Sequence, residues 1–147
     1  MKAAAVAREG MTPLVCVGEV ERGKGNDAID VAVKQVELQV RAVLDAVPSG
    51  KDRRDGKVRE VVFAYEPVWA IGAKEPADAG YVVGVVEGIR RVVEEMGRGE
   101  EVRILYGGSA KVGLMELIGG AVDGLFLGRF AHEPEMAARI VREVAEG

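Results

Sequence analysis

The sequence predicts an α/β fold with a parallel sheet, and three observations support that prediction. Short apolar runs alternate with helical patterns along the chain. The runs lack the polar alternation of a half-exposed strand, which is typical of parallel strands covered on both faces. Glycine contributes 20 of 147 residues, about twice its usual share, and many glycines lie at the ends of these runs. A chain of this length predicts one domain spanning residues 1–147.

Four apolar runs predict the strands. Each is rich in β-branched or aromatic residues and is short enough for a strand of a globular domain. Cys16 lies inside the first run, and we expect it to be a small buried hydrophobic residue. The runs are Pro13–Glu19, Val61–Glu66, Arg103–Ser109 and Asp123–Arg129.

Apolar residues at steps of three and four predict helices between the runs. The opening ten residues resemble the second half of a helix that began upstream. We expect Asn26 to cap the next helix and Pro48 with Gly50 to end it. The charged segment Ser49–Lys57 then reads as a solvated connection. The remaining predicted helical stretches are 76–97, two turns within 110–122, and one that starts near Pro134.

Repeated alternation of strand and helix predicts right-handed crossovers in one sheet. About four parallel strands leave two bare edges, and a sheet that is apolar on both faces needs cover on both. We therefore expect this chain to form part of a larger structure, with oligomers or poor solubility when it is alone.

Composition narrows the function classes. Twenty Lys and Arg against 24 Asp and Glu give a net charge of −4, which does not favour binding to nucleic acid or to an anionic membrane. No apolar stretch is long enough to span a bilayer. The single cysteine excludes an internal disulfide and suits a reducing compartment, so we expect a cytoplasmic protein.

Four motifs together resemble the triosephosphate isomerase family. "AYEPVWAIG" at Ala64–Gly72 resembles its catalytic-glutamate and lid motif, and "YGGSA" at Tyr106–Ala110 resembles its seventh-strand phosphate loop. "VDGLFLGR" at Val122–Arg129 and "PLVCVGE" at Pro13–Glu19 are similar to the eighth and fifth strands. The resemblance implies the C-terminal half of a (β/α)8 TIM barrel, about four βα units, without the N-terminal half.

The resemblance also implies an aldose–ketose isomerase of a small sugar phosphate that uses neither a metal nor a cofactor. Such an enzyme moves a proton between neighbouring carbons through an enediol(ate), and Glu66 would be the base. Pro67 holds the backbone of Glu66 extended. A lid that excludes water from the site would contain Pro67, Val68, Trp69, Ala70, Ile71, Ala73 and Lys74.

Family resemblance places a phosphate site on the loops after the last two strands. Barrel enzymes commonly bind phosphate there, and glycines let backbone N–H groups approach the anion. Any one of these glycines could instead lie in a turn that ends a strand. The implied residues are Gly72, Gly107, Gly108, Ser109, Gly128 and Arg129.

The chain departs from the family pattern in two motifs. Its lid reads "GAKEP", about three residues shorter than usual in the family, and Arg129 follows Gly128 where the family has paired small residues. Arg129 could bind the phosphate, reshape the pocket for a longer sugar phosphate, or point away. Both departures favour a four-carbon substrate, as in those relatives that act on a four-carbon sugar phosphate.

The family's catalytic lysine and histidine lie on the first four strands, and nothing in this sequence corresponds to them. The single histidine, His132, reads as a surface residue at a helix start. We expect the lone chain to be feeble or inactive, and its partner to be a second copy or a complementary half-barrel. The alternative is a non-catalytic half-barrel that binds a phosphorylated ligand or a partner chain.

Overall fold

A computed structural model describes residues 1–50, 60–73 and 76–146. Within these residues four parallel strands form one sheet in the order β1-β2-β3-β4. The strands are β1 Leu14–Val17, β2 Val61–Tyr65, β3 Val102–Tyr106 and β4 Gly124–Leu125. The helices are α1 Lys2–Arg8, α2 Ala28–Ala46, α3 Ala79–Glu95, α4 Met115–Ile118 and α5 Pro134–Glu146. The predicted parallel α/β alternation is confirmed.

The two faces of the sheet differ in burial. On one face Phe63, Tyr65 and Ile104 are fully buried in a core shared with the helices. On the other face Leu14 is 47% exposed and Cys16 is exposed. The prediction that Cys16 is buried is therefore wrong for the described chain. The open second face of β1 agrees with the expectation that this sheet needs cover from a larger structure.

Several helix ends differ from their predicted positions. The cap position of α2 is Asp27, not Asn26. The third helix begins at Ala79 rather than at Pro76, because the Asp78 carboxylate accepts the Tyr81 N–H at 3.1 Å and caps the helix there.

The last two helices match their predictions only in part. The expected two turns after β3 are a single turn, α4, which ends at Ile118 and is followed by Gly119 and Gly120. The predicted start of α5 at Pro134 is confirmed, and Ile140 is its buried residue. None of the helices in the described ranges combines the length and apolar character needed to cross a bilayer.

A buried ion pair joins the ends of α2 and α3. Arg98 donates to the carbonyl oxygens of Leu44 and Val47, each at 3.0 Å, and to the Glu101 carboxylate. The Ser49 hydroxyl donates to the same carboxylate at 2.6 Å. Arg98 and Glu101 are 7% and 2% exposed, so the pair depends on these hydrogen bonds rather than on water. The predicted connection 49–57 begins here, and its residues 51–57 lie outside the described ranges.

Candidate active site

Loops at the carboxyl edge of the sheet enclose a cavity of about 270 Å³. Parallel strands all end at the same edge, so Glu66 after β2, Ser109 after β3 and Arg129 after β4 lie together there. A larger groove of about 500 Å³ runs between α4 and α5, away from Glu66. The residues that line the smaller cavity are Glu66, Ile71, Gly72, Gly108, Ser109, Phe126, Gly128 and Arg129.

Glu66 is held from two sides. Its N–H donates to the Val17 carbonyl oxygen at 2.8 Å, which continues the pairing of β2 with β1. Its side chain is half-buried and packs over Gly107, where an added Cβ would lie 2.4 Å from the Glu66 Cγ atom. A side chain at position 107 would therefore displace the carboxylate.

Gly107 does not join the other predicted phosphate residues around the cavity. Its N–H donates to the Tyr65 carbonyl oxygen at 2.8 Å and is not available to a ligand. Gly107 lies against the Glu66 side chain. The other five predicted residues, Gly72, Gly108, Ser109, Gly128 and Arg129, all line the cavity.

Cys16 lies next to the Glu66 carboxylate. Partial desolvation and the neighbouring Glu66 raise the pKa of the Cys16 thiol to about 11. The thiol is exposed on the uncovered face, so it is desolvated only in part. It stays protonated at neutral pH and is not the thiolate that a cysteine nucleophile requires.

The first part of the predicted lid is anchored by a buried carboxylate. Glu19 is fully buried and accepts hydrogen bonds from the Trp69 indole at 2.8 Å and the Tyr81 hydroxyl at 2.7 Å. The Tyr65 hydroxyl donates to the same carboxylate at 3.2 Å. The Arg22 guanidinium lies 5.1 Å from the centre of the Trp69 ring, within cation–π range. Residues 68–70 form a 3₁₀ turn over this cluster.

Burial and the Glu19 charge raise the pKa values of both tyrosines well above their ordinary value. Each hydroxyl therefore remains a donor across the physiological pH range. Sequence reasoning missed this role of Glu19. The signal was present, because Glu19 ends an apolar run as Glu66 does.

The tip of the predicted lid segment is hydrogen-bonded to the loops after β3 and β4. The Ser109 hydroxyl lies 3.2 Å from the Ala70 carbonyl oxygen and 2.8 Å from that of Ala73. Arg129 Nη2 donates to the Gly72 carbonyl oxygen at 3.2 Å. Behind the tip, the Ala77 N–H donates to the Tyr106 hydroxyl at 3.3 Å. The predicted lid residue Lys74 lies outside the described ranges.

Several backbone N–H groups around the cavity have no backbone partner. In residues 1–50, 60–73 and 76–146, those of Gly72, Gly108, Ser109 and Gly128 donate to no backbone acceptor. Ser109 has a φ of +61°, a left-handed conformation that non-glycine residues adopt rarely and mainly at special sites. Backbone N–H groups without partners beside a guanidinium favour an oxyanion.

Phe126 is a cavity residue that sequence reasoning missed, although it lies in the run read as the last strand. Only two residues of that run form β4, which leaves Phe126 in the loop that follows. The predicted surface position of His132 is confirmed, because it is exposed in the turn Arg129–His132. Among the described side chains no three His, Cys, Asp or Glu residues group as metal ligands.

Comparison with known proteins identifies the fold to which this site belongs. A family model described as triosephosphate isomerase matches residues 1–144. The chain belongs to the triosephosphate isomerase family. Its four parallel strands and alternating helices are consistent with half of a TIM barrel, as the four motifs predicted.

Relatives in the triosephosphate isomerase family carry two kinds of name. An L-erythrulose-1-phosphate isomerase of Pectobacterium atrosepticum is 43% identical over 143 residues, which are 97% of this chain and 52% of the relative. A protein of the same name from Rhizobium etli is 41% identical over 150 residues, covering 99% and 52%. Triosephosphate isomerase 2 of Listeria innocua is 36% identical over 141 residues, covering 94% and 52%. The chain thus spans about half the length of these curated relatives.

Proposed function

We propose that this chain carries the base and the anion site of an aldose–ketose isomerase for a small sugar phosphate. The observation that carries the proposal is the shared cavity: the Glu66 carboxylate lines the same 270 Å³ space as Ser109, Gly128 and Arg129. A carboxylate beside an oxyanion site is what an isomerase of a phosphorylated substrate requires.

The reaction moves one proton between two carbons and one between their oxygens. Glu66 takes the proton from the carbon next to the carbonyl; the electron pair of the broken C–H bond forms the C=C bond, and the carbonyl π pair moves to its oxygen to give the enediol(ate). A proton then passes from the hydroxyl oxygen to the former carbonyl oxygen, and the same carboxyl group returns its proton to the former carbonyl carbon. The N–H groups of Gly72, Ser109 and Gly128, together with Arg129, hold the phosphate during these steps.

The electrophile for the carbonyl comes, in this proposal, from the half of the barrel that this chain does not match. We therefore expect little or no turnover by the chain alone. Turnover should appear when the chain is supplied with the preceding half of the Pectobacterium relative, a form called here the complemented barrel. No isomer formation by a well-folded complemented barrel would instead favour the non-catalytic, ligand-binding half-barrel.

The substrate is a three-carbon or a four-carbon sugar phosphate, and one observation favours the longer one. Two of the relatives reported above are named L-erythrulose-1-phosphate isomerase. We expect the complemented barrel to show the higher kcat/KM on L-erythrulose 1-phosphate. A higher value on glyceraldehyde 3-phosphate would assign the chain to the three-carbon reaction.

The open face of β1 predicts association. Leu14 is 47% exposed there, and β1 and β4 are the edge strands of the described sheet. Such edges bind other strands. We expect light scattering to show a dimer or larger oligomer of the lone chain, and a complex with one copy of each half after complementation. A monodisperse monomer that melts cooperatively would contradict this expectation.

We place the assembled enzyme in the cytoplasm.

Replacing Gly107 by alanine should lower activity more than stability. The new Cβ would lie 2.6 Å from the Glu66 Oε1 atom, so the carboxylate must move. A displacement of about 1 Å can cost roughly 10²-fold in rate, while overpacking costs about 1–3 kcal/mol. The measurement is kcat of the complemented barrel beside the urea midpoint. Gly120→Ala is the matched control, because its Cβ would meet no atom within 4 Å. Equal activity of both variants would contradict the support role of Gly107.

A further inference from the structure

Arg129 is a cavity residue whose cationic side chain reaches the predicted lid from the loop after β4. It lies in the turn after β4, lines the cavity and donates from Nη2 to the Gly72 carbonyl oxygen at 3.2 Å. We propose that Arg129 is a positioning residue that holds the lid tip over the cavity through Gly72. That Arg129 holds the lid tip in the ligand-free chain is independent of the proposed function. That a bound anion is coupled to the lid through Arg129 rests on the proposed function.

The bond to Gly72 fixes one particular peptide group. The peptide between Gly72 and Ala73 is held at its oxygen by Arg129 and at its nitrogen by the Ala73 N–H, which donates to the Ala70 carbonyl oxygen at 3.2 Å. Gly72 has a φ of +74°, which turns the chain sharply at this point. Fixing this peptide therefore restricts the position of the neighbouring Gly72 N–H, one of the cavity N–H groups without a backbone partner.

Ser109 alone cannot hold the lid tip. Its hydroxyl lies within hydrogen-bond distance of two lid carbonyl oxygens, those of Ala70 and Ala73, but it carries one hydrogen. At any moment one of these two oxygens lacks that donor. Arg129 supplies the additional bond from the opposite loop, so the tip is tied to the segments after both β3 and β4.

The guanidinium has further N–H donors besides the one that Gly72 accepts. An oxyanion in the cavity would meet this cation as well as the free backbone N–H groups. Lid position and anion occupancy are then coupled through one side chain, and the coupling is reciprocal: a fixed lid favours the anion, and the anion favours the fixed lid.

The test compares hydrogen exchange of the Ala73 N–H in the 147-residue chain and three variants, first without ligand. R129Q removes the charge and the fork of donors, R129K keeps the charge and one donor, and R91Q removes an equal charge from an exposed position on α3, outside the cavity. We expect exchange in R129Q to be roughly five- to tenfold faster than in the unchanged chain. R129K should be intermediate, and R91Q should match the unchanged chain. Equal exchange in R129Q and R91Q would overturn the positioning role.

The second arm adds inorganic phosphate and follows the fluorescence of Trp69, the only tryptophan of the chain. We expect phosphate to slow Ala73 exchange in the unchanged chain, and R129Q to weaken phosphate binding about tenfold or more. If phosphate binds no variant while R129Q still speeds exchange, the positioning role stands and the proposed phosphate site fails. If phosphate binds all variants equally and exchange is unchanged, the phosphate site stands and the role of Arg129 is refuted.

Discussion

Glu66→Gln in the complemented barrel is expected to lower kcat by roughly 10²–10⁴-fold. Glutamine keeps the shape of the side chain over Gly107 but cannot accept the proton from carbon. KM should change little, because the groups proposed to hold the phosphate are backbone N–H groups and Arg129. The measurement is steady-state kinetics in both directions of the isomerisation, with urea unfolding to show that the variant folds as the unchanged chain does.

Two further variants make this result specific. Glu66→Asp keeps the charge but withdraws the carboxylate by one methylene, and it should retain more activity than Glu66→Gln. Glu87→Gln removes an equal charge from an exposed position on α3 and should leave kcat unchanged. Full activity of Glu66→Gln would show that another group is the base.

Arg98→Met is expected to destabilise the chain by about 3–5 kcal/mol. The substitution leaves the Glu101 carboxylate buried without its cation, and it also removes the donors for the carbonyl oxygens at the end of α2. For a domain of this size, such a loss lowers Tm by roughly 2–4 °C for each kcal/mol. Urea unfolding measures the free energy, and Arg91→Gln is a matched control on the exposed side of α3.

A double variant tests whether the loss of stability comes from the Glu101 carboxylate being buried without its cation. Arg98→Met combined with Glu101→Leu removes both charges, and it should be more stable than Arg98→Met alone. An equal loss in the single and double variants would show that packing of the arginine, not the charge of Glu101, causes the effect.

The same pair predicts how stability depends on pH. Burial alone would raise the pKa of Glu101, but hydrogen bonds from Ser49, Arg98 and Gly50 and the Arg98 charge hold it below its ordinary value of 4.5. A depressed pKa in the folded state stabilises the fold above the unfolded-state pKa. This contribution is therefore full near neutral pH and is lost as pH falls below about 4.5, and Glu101→Leu should flatten that part of the profile.

Much of the fold could be predicted from the sequence because the relevant signals are local. Apolar runs without alternation gave the four strands, and the helical spacing gave the helices between them. The nine-residue lid motif identified the family. Helix ends were less accurate, since the cap of α3 at Asp78 depends on a hydrogen bond that spacing does not show.

The arrangement around the candidate site depends on contacts between distant residues, which a single sequence does not reveal. Cys16 reads as buried within its run, yet its exposure depends on what covers the second face of the sheet. Gly107 reads as a phosphate residue, but its close contact with the Glu66 side chain requires both loops in place. The three alternatives for Arg129 could be narrowed only by seeing that its guanidinium reaches Gly72.

The carboxylate of Glu19 has a consequence for how the predicted lid could open. Among the described residues its three side-chain donors come from separate parts of the chain: Tyr65 ends β2, Tyr81 lies in α3, and Trp69 alone belongs to the predicted lid. If the indole moved away, two phenols would still donate to the anion. Opening would then cost a single donor, and the buried carboxylate would keep hydrogen-bond partners throughout the motion.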